Sequence, residues 1–253
     1  MADFPILEYD PNPKAIIEPR HLSPPLDVPE HCVICFFPEV FTLLTQAGRL
    51  RELARTEWED GPHVLYELEY QGKRLAAFHP GVGAPVAVGL LEHVIAWGSR
   101  KFIACGGAGV LDREIAVGHL VVPSSAVRDE GVSYHYLPPA REVSASPAGV
   151  AAIEQVLQQH KVPYRVGKTW TTDAVYRETP DKVRQRRAEG CLTVEMEAAA
   201  FFAAAQFRGV TFGQILYGGD DVSGQDWDHR DWQSHTGVRE RLFWLAAEAC
   251  LNL

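Results

Sequence analysis

The chain has 253 residues, 46% hydrophobic and 23% charged, a globular balance with length enough for a sizeable core. Its 33 acidic and 24 basic side chains leave a net charge of −9, which argues against a nucleic-acid partner but leaves room for a small anion held locally. No stretch approaches the ~20 apolar residues of a membrane span, and Met1-Ala2-Asp3-Phe4-Pro5 has neither the basic nor the apolar region of a secretion signal, so a cytoplasmic protein is expected.

Residues 1–30 carry Pro5, Pro11, Pro13, Pro19, Pro24, Pro25 and Pro29, a density that blocks helix and predicts an extended arm, packed on its own core or on a neighbouring subunit. Residues 31–253 read as one domain. Residues 33–37 are an apolar run, a first buried strand, with a helix after it over 39–44. Residues 64–70 alternate like a half-buried strand, and 73–78 form its hairpin partner across Gln71-Gly72. A glycine-rich turn, Gly81-Val82-Gly83-Ala84-Pro85, leads into a helix over 86–97. The apolar strand 102–105 then ends in a loop, Gly106-Gly107-Ala108-Gly109. Further strands are expected at 119–123, 166–172 and 212–217, the last broken by Gly218-Gly219 before Asp220-Asp221. Helices are expected at 148–159, 181–187 (solvated), 198–207 and 238–251, and residues 124–140 are expected to be loop-rich. Strands alternating with helices define an α/β chain with a largely buried sheet.

Cys32 and Cys35 form a C-x-x-C inside a buried strand with no second pair to complete a zinc site, so core thiols in a reducing compartment are the simpler reading. There is no P-loop, no dinucleotide fingerprint and no G-x-S-x-G to mark a nucleophile.

The stretch that asks most of its surroundings is Thr193-Val194-Glu195-Met196-Glu197-Ala198-Ala199-Ala200. Two carboxylates precede a helix that is apolar almost all round and must be buried, where charge is costly unless paired or used. One of them can cap the helix. Four stretches fall at predicted strand ends, where open α/β sheets bind ligands: residues 81–85, 106–109, 195–197 and 218–221. The glycine turns can present N–H groups to an anion. Asp220, if buried beside Glu197, can act as an acid. Residues 225–232, with Trp227 and Trp232 among acids, read as a surface loop or as a lid over a ring-shaped ligand. Tyr134, Tyr136, Trp170 and Tyr176 supply aromatics near strand ends.

Taken together and in order, these motifs resemble the nucleoside phosphorylase superfamily of purine nucleoside and uridine phosphorylases and related nucleosidases. The resemblance rests on Thr193–Ala199 with Asp220, on His79-Pro80-Gly81-Val82-Gly83-Ala84-Pro85 as a G-x-G-x-P turn, and on Gly106–Leu111 as a G-S/T-x-G-x-L loop. Residues 126–138 and Thr172-Asp173-Ala174-Val175-Tyr176 look most like the uridine phosphorylase branch. It implies a three-layer α/β/α fold around a mixed, partly barrelled sheet. It also implies a homo-oligomer, dimer to hexamer, that cleaves an N-ribosidic bond with inorganic phosphate as co-substrate and no cofactor or metal. By carry-over, Met196 packs on the sugar, Glu197 accepts hydrogen bonds from ribose hydroxyls, and Asp220 meets the leaving base. Gly106 and Gly107 face the nucleophile, and Val82 and Tyr176 complete the substrate contacts with Glu195, for which a structural or capping role is the simpler reading.

The chain departs from that pattern where phosphate is held. In place of glycine-aspartate-proline-x-arginine it has Phe36-Phe37-Pro38-Glu39-Val40-Phe41, and Ala104 and Gly107 replace an arginine and a Ser/Thr. The glutamine and arginine that hold uracil in uridine phosphorylases find no match after Tyr176. Arg128 and Arg177 are the available substitutes for an anion or base contact. The leading expectation is therefore a nucleoside phosphorylase-like enzyme. A nucleosidase using water, a non-catalytic nucleoside binder, and a metal hydrolase built on Asp220, Asp221, Asp226, Asp228 and His229 remain alternatives.

Overall fold

The computed structural model describes residues 4–234 and 236–253. In chain order its strands are β1 (His31–Cys35), β2 (Arg51–Trp58), β3 (Gly61–Tyr70), β4 (Lys73–Phe78), β5 (Lys101–Val110), β6 (Leu120–Asp129), β7 (Glu142–Ser144), β8 (Tyr164–Thr172), β9 (Cys191–Glu195) and β10 (Thr211–Asp221). The helices are α1 (Pro19–Leu22), α2 (Pro38–Gln46), α3 (Ala84–Trp97), α4 (Ser133–Tyr136), α5 (Pro147–Gln159), α6 (Pro180–Ala188), α7 (Ala198–Arg208) and α8 (Thr236–Leu251).

Five strands close on themselves: β5 pairs β10, β10 pairs β6, β6 pairs β8, β8 pairs β9, and β9 returns to β5. The sheet continues outward from β5 through β1, β4, β3 and β2, with β7 hung on β6. This is the mixed, partly barrelled sheet of a three-layer α/β/α fold. Strand alternation divides the core into its two halves. Cys32, Ile34, Ala76, Phe78, Phe102, Ala104 and Phe212 face α3 and α7. Val33, Cys35, Ala77, Ile103, Cys105, Ile215 and Tyr217 face α2, α5 and α8. All five cysteines are buried and unpaired.

The hairpin between β3 and β4 turns at Gln71 and Gly72, both at positive φ (52° and 72°), as a two-residue turn requires. Strand β2 carries no clean alternation, being polar and half-exposed along its length, so no periodic signal marks it. Four expectations are corrected. Within residues 1–30, read as blocking helix, Pro19–Leu22 form the short helix α1, since proline is tolerated in a first helical turn. Gly106–Gly109 is not a loop after a strand but the second half of β5. Residues 124–129, expected as loop, continue β6. Gly218-Gly219 does not break β10, which runs on to Asp221. In each of these three strands neighbouring strands of the barrel supply the hydrogen bonds, which overrides weak local strand propensity, that of glycine in β5 and β10 and that of the polar stretch in β6.

The N-terminal segment lies on its own chain at several points. The Leu26 N–H donates to the Trp97 carbonyl (2.8 Å), and the Ser23 hydroxyl meets His93 Nδ1 (2.6 Å). Ile16 and Ile17 stand exposed. No described helix is long and apolar enough to cross a membrane.

Candidate active site

The two glutamates at the start of α7 have separate jobs. Glu195 Oε2 accepts from the N–H groups of Glu197 (2.7 Å) and Ala198 (2.6 Å), and its Oε1 accepts from the Thr171 hydroxyl (2.6 Å). Thr171 Oγ1 in turn accepts from the Ala199 N–H (2.9 Å). Three donors that a helix start leaves unpaired are satisfied this way, which is why so alanine-rich a segment begins where it does. It ends at Gly209 in the left-handed conformation (φ 64°). Glu197, at the N-cap position, makes no capping bond; its Oε1 accepts from the Gly83 N–H (2.5 Å) at the start of α3. Burial, then the field of Glu195, pushes the Glu197 carboxyl up to about 8, and burial pushes Glu195 up to about 7.

Asp220 reaches the same region through a bulge. Gly218 pairs with Ala108 and Asp221 with Val110, so Gly219 and Asp220 together stand opposite Gly109 alone. The extra residue turns Asp220 inward, while Asp221 is bound to Arg230 (2.5 Å). Asp220 Oδ2 accepts from the Trp227 indole N–H (2.7 Å).

These residues line one cavity of about 480 Å³. Met196, Glu195, Glu197, Val82, Gly106, Gly107 and Asp220 are all on its wall. Arg128, Tyr176 and Arg177 are not. Arg128 is buried elsewhere, donating to the Ser133 hydroxyl (2.8 Å) and to the carbonyls of Pro138 (2.8 Å) and Leu137 (3.1 Å), with its guanidinium 4.3 Å over the Tyr134 ring. Its donors are used in holding α4 to β6. Tyr176 is 96% exposed, and Arg177 beside it is exposed too, so neither closes the wall in this chain.

The cavity also takes in Phe36, Phe37 and Glu39 from the stretch that replaces the family's phosphate motif, Trp232 from the 225–232 loop, Glu178 just after Tyr176, and two residues that no motif marked, Gln214 and Arg239. Arg239, at the start of α8, donates to Glu39 Oε1 (2.6 Å) and to the Tyr217 hydroxyl (3.1 Å). A Cβ on Gly107 would lie 3.1 Å from the Tyr217 ring, so that ring fills the space a Ser or Thr would take there. Gln214 is 1% exposed and its Oε1 has no hydrogen-bond partner. As the lone amide in an apolar strand it was visible in the sequence; Arg239 and Glu39 had no spacing to link them. Glu178 is raised to about 7 by burial and by the nearby Asp220. Glu39, Glu178, Glu195, Glu197 and Asp220 thus face a single lining cation, Arg239, among the described residues. That balance favours a cationic or electron-poor group over a free dianion. Among the described residues no three Asp, Glu, His or Cys side chains are grouped to hold a metal ion; Asp221 is bonded to Arg230 and Asp220 to Trp227.

The fold and cavity define an α/β protein with a buried carboxylate pair at a helix start and an acid delivered by a bulge from a neighbouring strand. The sequence profile of the phosphorylase superfamily matches residues 30–248, and the chain belongs to that family. Among curated relatives it is 32% identical over 146 residues to a guanosine phosphorylase of Halorubrum lacusprofundi, covering 57% of this chain and 60% of the relative. It is 26% identical over 171 residues to a uridine phosphorylase of Thermococcus kodakarensis, covering 58% and 61%. The chain therefore spans about three-fifths of the length of these relatives. Among solved structures it is similar to a uridine phosphorylase from Vibrio fischeri (TM-score 0.74, 25% identity, 89% of this chain and 92% of that one). An AMP nucleosidase from Bacteroides thetaiotaomicron shares the fold (TM-score 0.68, 19% identity, 88% and 87%).

Proposed function

We propose that this chain cleaves the N-glycosidic bond of a nucleoside and passes the pentose to inorganic phosphate, giving free base and pentose 1-phosphate without a cofactor. The observation that carries this reading is Glu197, a buried carboxylate freed from capping by Glu195 and held at the wall of the cavity that also takes Asp220. Met196 packs against the sugar and Glu197 accepts from its hydroxyls. As the bond from the anomeric carbon to the base nitrogen breaks, its electron pair leaves with the base, and Asp220 hydrogen-bonds or protonates that base. Glu197 stabilises the cationic sugar until phosphate bonds to the anomeric carbon. The names of the relatives support phosphate as acceptor and both purine and pyrimidine nucleosides as candidates. Assembly as a homo-oligomer and a cytoplasmic location belong to the same proposal, as do an N-terminal arm over 1–30 and a catalytic domain over 31–253.

One observation favours a second reading, hydrolysis by water. Arg239, the lining cation, is already bonded to Glu39 and to Tyr217, which leaves little positive charge for a phosphate. Incubating purine and pyrimidine nucleosides with and without phosphate separates the two. Phosphate-dependent base release with accumulation of pentose 1-phosphate is the expected result. Base release indifferent to phosphate, with free pentose, establishes the second reading, and release from no nucleoside overturns both.

A further inference from the structure

We infer that Trp227 is the positioning residue for Asp220: its indole N–H holds one carboxylate oxygen so that the other is presented to the leaving base. The inference rests on the reading of Asp220 just given. The torsion of a carboxylate about its last bond is soft, so an aspartate at a bulge needs a partner to fix its plane. Oδ2 has that partner in the Trp227 N–H at 2.7 Å. Oδ1 lies over Gly109 on the cavity wall, 3.6 Å from where a Cβ of that glycine would stand.

The loop that carries the indole is anchored to the strand it serves. Asp221 and Asp228 exchange backbone hydrogen bonds (2.8 and 3.1 Å), and Arg230 ties Asp221 Oδ2 (2.5 Å) to the Ile115 carbonyl (2.8 Å). Arg230 and Asp231 both hold positive φ (53° and 46°), a conformation that non-glycine residues keep only when surroundings impose it. Trp227 itself is 64% exposed and touches the ring of His229 edge-on at 5.2 Å. An indole so exposed contributes little to the core; its directed contact is the one with Asp220.

Trp227→Phe keeps the ring and removes the N–H, and two substrates read out the consequence. A nucleoside needs help for its departing base, whereas a p-nitrophenyl riboside loses a stable phenolate that needs no proton. The expected result is a fall of about 10-fold in kcat on the nucleoside, with KM within about twofold and no change on the phenolate substrate. Asp220→Asn should show the same split more strongly. Equal slowing on both substrates, or none on either, overturns the inference. A second measurement stands apart from turnover: the indole N–H proton resonance of Trp227, assigned by its loss in Trp227→Phe, should shift in Asp220→Asn. An unmoved resonance overturns the inference. A wild-type protein inactive on both substrates, with that resonance responding, counts against the proposed function alone.

Discussion

Glu195 and Glu197 bond in opposite directions from the same turn: Glu195 forward to the N–H groups of Glu197 and Ala198, Glu197 across the chain to the N–H of Gly83. The first bond set starts α7, and the second ties it to α3. A single capping glutamate would have done the first task, and on the proposed function the second carboxylate also meets the ligand.

The pair predicts a pH dependence. Glu197 is held up to about 8 by burial and by Glu195, and it must be ionised to stabilise a cationic sugar. kcat/KM should therefore rise with pH through about 8. Glu195→Gln, which keeps an oxygen for the cap and removes the neighbouring charge, should move that rise to lower pH. A profile flat from pH ~6 upward would contradict this.

Stability should run the other way. Both carboxyls are raised in the fold above their ordinary value, so the folded state binds more protons than the unfolded one. Their contribution is complete at acid pH below that ordinary value and is lost as pH rises through about 7 and about 8. Thermal melts should show the wild type less stable at pH ~8.5 than at pH ~6, and Glu197→Gln should flatten that difference.

Arg128 belongs to the scaffold. Arg128→Ala would leave the carbonyls of Leu137 and Pro138 without their donor and remove the cation over Tyr134. Denaturant melts should show a loss of about 2–3 kcal/mol, with activity per folded molecule kept. Lost activity at undiminished stability would return Arg128 to the site.

On the proposed function, Glu39 and Arg239 set how well phosphate is held. Glu39→Gln frees the guanidinium from its counter-ion, and the KM for phosphate should fall roughly 3–10-fold. Arg239→Gln should raise it. If neither substitution alters phosphate dependence, the anion is not bound beside Arg239.

Gln214 is a candidate for stability held back for function. Gln214→Leu removes an amide whose oxygen is buried without a partner, and should stabilise the fold by about 1 kcal/mol while lowering kcat/KM. A destabilised variant of full activity would make Gln214 a structural residue.

Much of this cavity was legible in the sequence because the wall around Met196 is local. Residues 195–197 are contiguous, and an all-apolar helix after two acids announces a conflict that only a cap or a ligand resolves. Asp220 and the glycines at 81–83 and 106–109 could be placed at strand ends by periodicity alone. Closure of the barrel was not local. The pairing of β9 back to β5 turned Gly106–Gly109 from loop into strand, and the bulge at Gly219-Asp220 exists only relative to Gly109. Arg128 misled because an arginine in a polar stretch gives no sign that its donors are already committed to backbone carbonyls. Arg239 and Glu39, 200 positions apart, meet only because α2 and α8 pack on the same face of the sheet.

The most direct test is base release from nucleosides by the purified protein and by Glu197→Gln, whose fold is checked by its melt. Measurable release by the wild type is expected, with a loss of at least about 100-fold in kcat/KM on exchanging the carboxylate for the amide. A folded Glu197→Gln protein as active as the wild type would contradict it.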